Sequence, residues 1–483
     1  MTPLLYQFPI VLMLSLSASF AAAAVAATET PMSLSDCIAV AVRENKTIKG
    51  AYLDRIVQKY DLRVAEDKFT PKMTLTPSVQ RTSSTTNGAA AVTATTTDIS
   101  AAVTETFPTG ATVNLTAKHG SNTTDITGTS RGYGWNVSLN QPLLKGGGFD
   151  VATASVRTAR IGELNNILSL KTTIMDTLVA VITSYRNYVQ ALKALEISRQ
   201  SFERGKELLE INRELITAGR MAEIDIVQSE ADIAGREYGL LAAENSTDAA
   251  RLALVKVMDL NKNTRITPID STEVEQIPYE FEHAKKIAFE NRPDYQSALL
   301  GLESSRIGLM LAKNNQLWDL SLTAGYDQAY ARDGEPWSSS NTDSWNTGLK
   351  LTIPFGDLTI KQGYLNARIG LEKFELSLSK QKENIEIEVE DALRDADMKM
   401  RQVKLARQAR VLSEKKVEIE TEKLKVGRST NFQLVSFQND LVNAQNNELS
   451  SIISYQNALT TIERTLGIIL DRWKIAIVER HGE

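Results

Sequence analysis

Residues 133–148 read YGWNVSLNQPLLKGGG, and the chain changes its period just beyond them. Tyr133, Trp135, Val137 and Leu139 alternate with Gly134, Asn136, Ser138 and Asn140, so one face of this segment is apolar and the other polar. Period two is the pattern of a β-strand with one face turned away from water. After the glycine triplet, Leu164, Leu168, Lys171, Met175, Leu178, Ile182, Tyr185, Val189 and Leu192 recur at alternating intervals of four and three, with Lys171 the only polar member. A spacing near 3.5 residues marks helices packed side by side with left-handed supercoiling. A helix over 151–216 is roughly 100 Å long at about 1.5 Å per residue, too long for a compact globule of this size.

Working outward, proline and glycine divide the chain. No Pro occurs from Leu143 to Thr267, and none after Pro354. Both regions are rich in helix formers. Thr-, Ser- and Gly-rich stretches occupy 73–148 and 318–356. In the second, Leu320, Leu322, Ala324 and Tyr326 alternate with polar residues, as do Trp345, Thr347, Leu349, Leu351 and Ile353. Ile99, Ala101 and Val103 do so more weakly, and the segment 83–130 reads either as a long extracellular loop or as an extra hairpin. Tyr326, Tyr330, Trp337 and Trp345 join Tyr133 and Trp135 near strand ends. In a membrane barrel such residues form interfacial girdles. A soluble hairpin packed on helices fits the strand pattern equally well.

Residues 4–25 carry no charge, their apolar core spans Phe8 to Phe20, and small residues continue to Ala27. This predicts a secretory signal over 1–27. Beyond it no run approaches the roughly 20 apolar residues of a membrane helix, so any membrane crossing is expected to be a β-barrel. The single Cys37 excludes an internal disulfide and reads as a small buried helix residue. The net charge of -5 gives no nucleic-acid signature. His119, His283 and His481 are scattered, and no metal spacing, nucleophile elbow or phosphate loop appears. Glu386, Glu388, Glu390 and Asp391 read as a solvated helix face. No enzyme and no cofactor are expected.

The two halves resemble each other. Ala41-Val42-Arg43-Glu44-Asn45 matches Ile287-Ala288-Phe289-Glu290-Asn291, and Pro71-Lys72-Met73-Thr74-Leu75 aligns with Trp318-Asp319-Leu320-Ser321-Leu322. Gln141-Pro142-Leu143 aligns with Ile353-Pro354-Phe355, and Ala218-Gly219-Arg220 with Val426-Gly427-Arg428. Each half therefore reads helix, β-hairpin, long helix, tight turn, returning helix. The predicted plan is a first repeat over 28–267 (sheet region 73–142, tip near 219), a linker over 268–277, a second repeat over 278–470 (sheet region 318–354, tip near 427) and a tail over 471–483. Glycine at each tip suits a left-handed C-cap, and Thr430 with Gln433 has capping-box spacing.

The duplicated plan, the Gln141–Gly148 segment, the tips at Gly219 and Gly427, and the closing Leu466-Gly467 resemble the TolC family of outer-membrane efflux proteins. The resemblance covers nearly the whole mature chain. It implies an α+β membrane protein and a homotrimer, each subunit giving about four strands to a shared twelve-stranded barrel in outer-membrane lipid. The helices then form an α-barrel in the periplasm. It further implies a passive exit duct of a tripartite efflux or type I secretion system, carrying small molecules or polypeptides from an inner-membrane transporter. A periplasmic adaptor is expected at the tips, which carry Arg220 and Arg428 where the family's signature often has an apolar or small residue. Asp225 matches an acidic gate position, whereas Gln433 and Ser436 fall where two lumen-facing Asp residues stand in the best-known member, so the acidic ring is absent at those sites. Two rivals are a periplasmic adaptor, which carries one hairpin between split biotinyl-like halves, and a structural coiled-coil protein, which needs no alternating strands.

Overall fold

The computed structural model describes residues 30–85, 91–270, 273–274, 276, 280–333 and 338–476. The expected signal segment, Trp337 and His481 lie outside these residues. The first half runs β1 (Thr30–Met32), α1 (Leu34–Glu44), α2 (Lys46–Glu66), β2 (Lys72–Ser84), β3 (Val92–Thr106), β4 (Thr112–Thr124), β5 (Gly128–Pro142), a short α3 (Phe149–Ala152), α4 (Ala154–Thr217) and α5 (Asp225–Val257). After β6 (Ile266–Pro268) come α6 (Phe281–Asn291), α7 (Pro293–Asn314), β7 (Asp319–Asp333), β8 (Ser338–Thr352), α8 (Leu358–Lys425), α9 (Asn431–Thr465) and α10 (Ile469–Arg472). The halves share one order of elements and differ by a hairpin.

The matched Asn residues of the repeat mark helix junctions. The Asn45 side chain accepts from the backbone N–H of Thr47 and Ile48 and so starts α2. In the second half Pro293 occupies the first turn of α7, where its missing N–H costs nothing.

α4 has 64 residues and α8 has 68, so each is about 100 Å long. On α4 the expected seam is buried at Met175, Leu178, Ile182, Tyr185 and Val189, half-buried at Leu168, Lys171 and Leu192 and exposed at Leu164, and a second stripe at Leu170, Ile174, Val181 and Tyr188 is buried with it. The reason is that α4 is flanked on both sides. Near the sheet the helices lie in the order α2, α4, α7, α8, and towards the tips in the order α5, α4, α9, α8. One stretch of α4 is also long and apolar enough to meet the bare requirements of a membrane span, contrary to the sequence reading. A third of that stretch is buried inside the protein, and buried apolar residues of α4 line a core with α1, β6 and α10.

A six-stranded antiparallel sheet caps one end, in the order β2-β3-β4-β5-β7-β8. This corrects the expectation of about four strands: β3 and β4 lie within the segment whose reading was open between loop and hairpin. The signal was weak because Thr93, Thr95 and Thr97 occupy the face that Ile99, Ala101 and Val103 continue. Threonine is a good strand former but polar, so it blunts alternation without weakening the strand.

Across the sheet the register lines up one face. Met73, Val103, Leu115, Val137, Tyr326 and Trp345 form an unbroken apolar row over all six strands. The adjacent row on the other face is Thr74, Ala102, Thr116, Asn136, Asp327 and Ser344. The Tyr133 and Tyr330 rings stack at 4.9 Å, and Trp135 lies 5.0 Å from Tyr326. Trp135, Tyr326 and Trp345 stand at the middle of β5, β7 and β8 and not near the strand ends where they were expected, because each strand runs several residues past its aromatic residue. Phe107, Trp318 and Phe355 are exposed at the helix end of the sheet. Two aromatic bands flanking an apolar belt are the pattern of a lipid-facing barrel wall.

Candidate docking tips and gate

Both helical hairpins reverse through the same cap. At the first tip the Gly219 N–H donates to the Ile216 carbonyl at 2.9 Å and the Arg220 N–H to the Leu215 carbonyl at 2.8 Å. At the second, the Gly427 N–H donates to Leu424 O at 2.9 Å and the Arg428 N–H to Lys423 O at 2.8 Å. This paired arrangement is a Schellman C-cap, with glycine in the left-handed region at φ +69° and +74°. A Cβ at either glycine meets no atom within 4 Å. The glycines therefore serve the backbone turn, and the turns are open to anything that approaches. Arg220 and Arg428 are exposed. Ile224, Val426 and Phe432 stand exposed beside them, Ile224 at 78 %.

The tips differ in their internal bracing. The Thr430 hydroxyl accepts from the Gln433 N–H at 3.3 Å, which is half of the expected capping box. Ser429 Oγ donates to Glu420 at 2.6 Å, and Lys423 Nζ donates to the same carboxylate at 3.1 Å.

Of the expected gate residues, Asp225 opens α5, and its side chain lies outside the described residues. Gln433 and Ser436 are exposed on the first turns of α9. The described contacts that join the two hairpins just above the tips involve other residues. Asn212 Nδ2 donates to Ser229 Oγ at 2.8 Å and to Asn431 Oδ1 at 2.9 Å, and Asn431 Nδ2 donates to Ser229 Oγ at 3.1 Å. Two to three turns higher, Arg236 donates through Nε to Asp232 at 2.6 Å, through Nη1 to Ser201 O at 2.8 Å, and through Nη2 to Gln438 Oε1 at 2.8 Å. Gly205 makes room for it: a Cβ there lies 2.9 Å from Arg236 Cδ.

Sequence reasoning missed these two nodes. Their signal was polar residues at seam spacing, Asn212 four after the buried Leu208 and Asn431 three before the buried Leu434. Buried polar residues in a coiled-coil seam fix register at a cost in stability. Arg236→Ala is expected to destabilise by about 3–5 kcal/mol, since it strips a buried network of its cation and leaves Asp232 without its charge partner. The check is the thermal unfolding of the purified protein in detergent. A midpoint unchanged from wild type counts against this reading of the node.

No cluster of three or more His, Cys, Asp or Glu side chains arranged to hold a metal occurs among the described residues. The geometry instead has the parts of an envelope channel: a sheet with one continuous apolar face, and two helical hairpins about 100 Å long hung from it. The chain belongs to the outer membrane efflux protein family, which it matches over residues 86–259 and 286–468, one segment in each half. It is an outer-membrane channel protein whose helices extend into the periplasm, and its family is one of channels rather than enzymes.

Among solved structures the chain is similar to the outer-membrane channel OprN, at 14 % identity and a TM-score of 0.68, over 90 % of this chain and 89 % of that one. It is similar to the CmeC outer membrane channel of Campylobacter jejuni, at 16 % identity and a TM-score of 0.67, over 90 % and 85 % of the two chains. The outer membrane protein VceC of Vibrio cholerae matches at 12 % identity and a TM-score of 0.67, over 90 % and 96 %. At such identities the likeness is one of fold. No curated protein sequence matches significantly.

Proposed function

We propose that this chain forms, as a homotrimer, the passive exit duct of a tripartite efflux or type I secretion system. The duct takes small molecules or polypeptides from an inner-membrane transporter, through a periplasmic adaptor, across the outer-membrane lipid. The observation that carries the reading is a pair of complementary open sides. On one side β2 ends the sheet, and the flanking helices present Leu53, Ile56, Val57, Tyr60 and Val64 on α2 and Tyr238 and Leu241 on α5, all exposed. On the other side β8 ends the sheet, and α8 exposes Leu365, Leu376, Ile387, Leu405 and Ile419 along its length.

Two different surfaces that meet head to tail close into a ring. Exposed apolar stripes of this length need a partner, and an open sheet edge in lipid leaves backbone groups without hydrogen bonds. The family fold supports three copies. The expected result is a detergent-extracted outer-membrane protein that runs as a trimer until boiled. A strain lacking the chain is expected to accumulate the pump's substrate. Extraction as a heat-insensitive monomer counts against the proposal.

The gate belongs to the same proposal. Asp225 begins α5 just past the first tip, where the subunits' helices converge in the trimer. It is proposed to hold the closed end through ion pairs with Arg220 or Arg428 of a neighbour, with Gln433 and Ser436 facing the passage as uncharged positions. Asp225→Ala is therefore expected to raise single-channel conductance several-fold in planar bilayers at equal trimer content. An unchanged conductance leaves Asp225 as a helix-start residue favoured by the dipole alone.

A further inference from the structure

We propose that β2 of one copy pairs with β8 of the next, and that six strands from each of three copies close into one eighteen-stranded barrel. The inference rests on the trimeric reading above and departs from the twelve strands that the family resemblance implies.

The hairpin of β3 and β4 is an integral part of the sheet. It sits between β2 and β5 and pairs with both over nearly its full length, from Lys72–Thr104 to Ser84–Val92 on one side and from Thr112–Asn140 to Thr124–Gly128 on the other. Val103 and Leu115 continue the apolar row from Met73 to Val137 without a gap.

The turn between β3 and β4 lies at the helix end of the sheet. The Gly148 N–H, at the passage from β5 to the helices, donates to Thr109 O at 3.1 Å. Gly110, at φ +91°, approaches so closely that a Cβ there lies 2.6 Å from Gly146 O. A hairpin held outside the membrane on the far side cannot reach this junction. β3 and β4 therefore run the whole height of the sheet, and the glycine triplet of 146–148 gives the space in which their turn docks.

Strand direction permits closure. β2 leaves the helix end after α2, and β8 returns to it before α8, so β8 meets the next copy's β2 antiparallel, like every other pair in the sheet. Width agrees as well. Six strands at about 4.8 Å spacing and about 40° tilt span about 38 Å of circumference. Four helices abreast at about 9.5 Å span about the same. Eighteen strands then enclose a ring roughly 36 Å across, against about 24 Å for twelve at that tilt. The inner face carries the row of Thr74, Ala102, Thr116, Asn136, Asp327 and Ser344, polar at every strand but β3. A barrel of this strand number leaves an aqueous channel, so restriction of flow falls to the periplasmic end, not to the membrane section.

The test places cysteines across the seam and across the extra hairpin in the full chain. Cys37 can stay, because it is fully buried and desolvation pushes its thiol up to about 12. Thr74→Cys, Thr76→Cys or Ser78→Cys in β2 is combined with Asn346→Cys, Gly348→Cys or Lys350→Cys in β8. Separately, Ser100→Cys and Thr116→Cys are compared with Ala101→Cys and Leu115→Cys for labelling by a soluble maleimide. The expected result is a pairing that yields covalent trimers stable to boiling, with labelling at Ser100→Cys and Thr116→Cys and protection at the other two. Heat-modifiable trimers in which no β2–β8 pairing links, or labelling of both faces of β3 and β4, overturn the eighteen-stranded barrel and leave the trimer standing. Monomers in every variant overturn the trimer itself.

Discussion

Gly219→Trp and Gly427→Trp are each expected to reduce transport to the level of a strain without the channel, while the trimer still assembles in the outer membrane. Both glycines sit in the left-handed region with open space where a side chain would begin. A bulky residue there adds about 1–2 kcal/mol of backbone strain, small beside the packing of two long hairpins, but it covers the bare turn that a partner helix has to approach. The exposed Ile224, Val426 and Phe432 beside the turns give such a partner apolar surface, and Arg220 and Arg428 add donors suited to carboxylates or carbonyls. Gly219→Ala and Gly427→Ala carry the same backbone strain without the bulk and are expected to keep most of the transport. Arg220→Glu is expected to weaken cross-linking to the adaptor more than it weakens the trimer. Full transport by both Trp variants, in a strain that depends on this channel, leaves the matching turns as marks of duplication with no docking role.

Leu349→Arg is expected to cost about 2–4 kcal/mol in barrel stability if Leu349 faces lipid near the bilayer midplane. The residue is 70 % exposed on β8 and pairs with Leu322 on the apolar face. Asn346→Arg, on the polar face of the same strand, is the control. It places the same charge towards water and is expected to leave insertion and heat stability close to wild type. Urea unfolding of the protein refolded in lipid vesicles measures both. Equal behaviour of the two variants removes the apolar face from the membrane. Aromatic residues also stand on both sides of Leu349 along the strands. Tyr133 and Tyr330 stack beyond the middle of the sheet, on the side away from the helices, and Phe107, Trp318 and Phe355 stand at the helix end.

Much of the plan was written in local patterns. The spacing from Leu164 to Leu192 determined that α4 is long and packed, because a period near 3.5 can be satisfied only by a helix against helices. The positive φ at Gly219 and Gly427 could be anticipated from composition, since a helix of good formers interrupted by glycine has few other ways to turn. The faces of β5, β7 and β8 could be read from alternation alone, because adjacent residues of a strand point to opposite sides. Cys37 fell where it was placed, buried in α1.

Tertiary structure decided the rest. Whether 83–130 was loop or strand depended on hydrogen bonds to β2 and β5, which threonine-rich alternation does not announce. The role of the glycine triplet at 146–148 depended on a turn centred near Thr109 folding back against it, a contact that no short window contains. The links between hairpins depended on register between distant segments. Asn212 and Asn431 are 219 residues apart and Arg236 and Gln438 are 202 apart. Sequence by itself determined the periods, the turns and the apolar faces, because these follow from each residue's own backbone preferences and hydropathy. Tertiary structure alone decided how many strands stand side by side and which polar groups meet in the core, because those depend on where separate elements come to rest against one another.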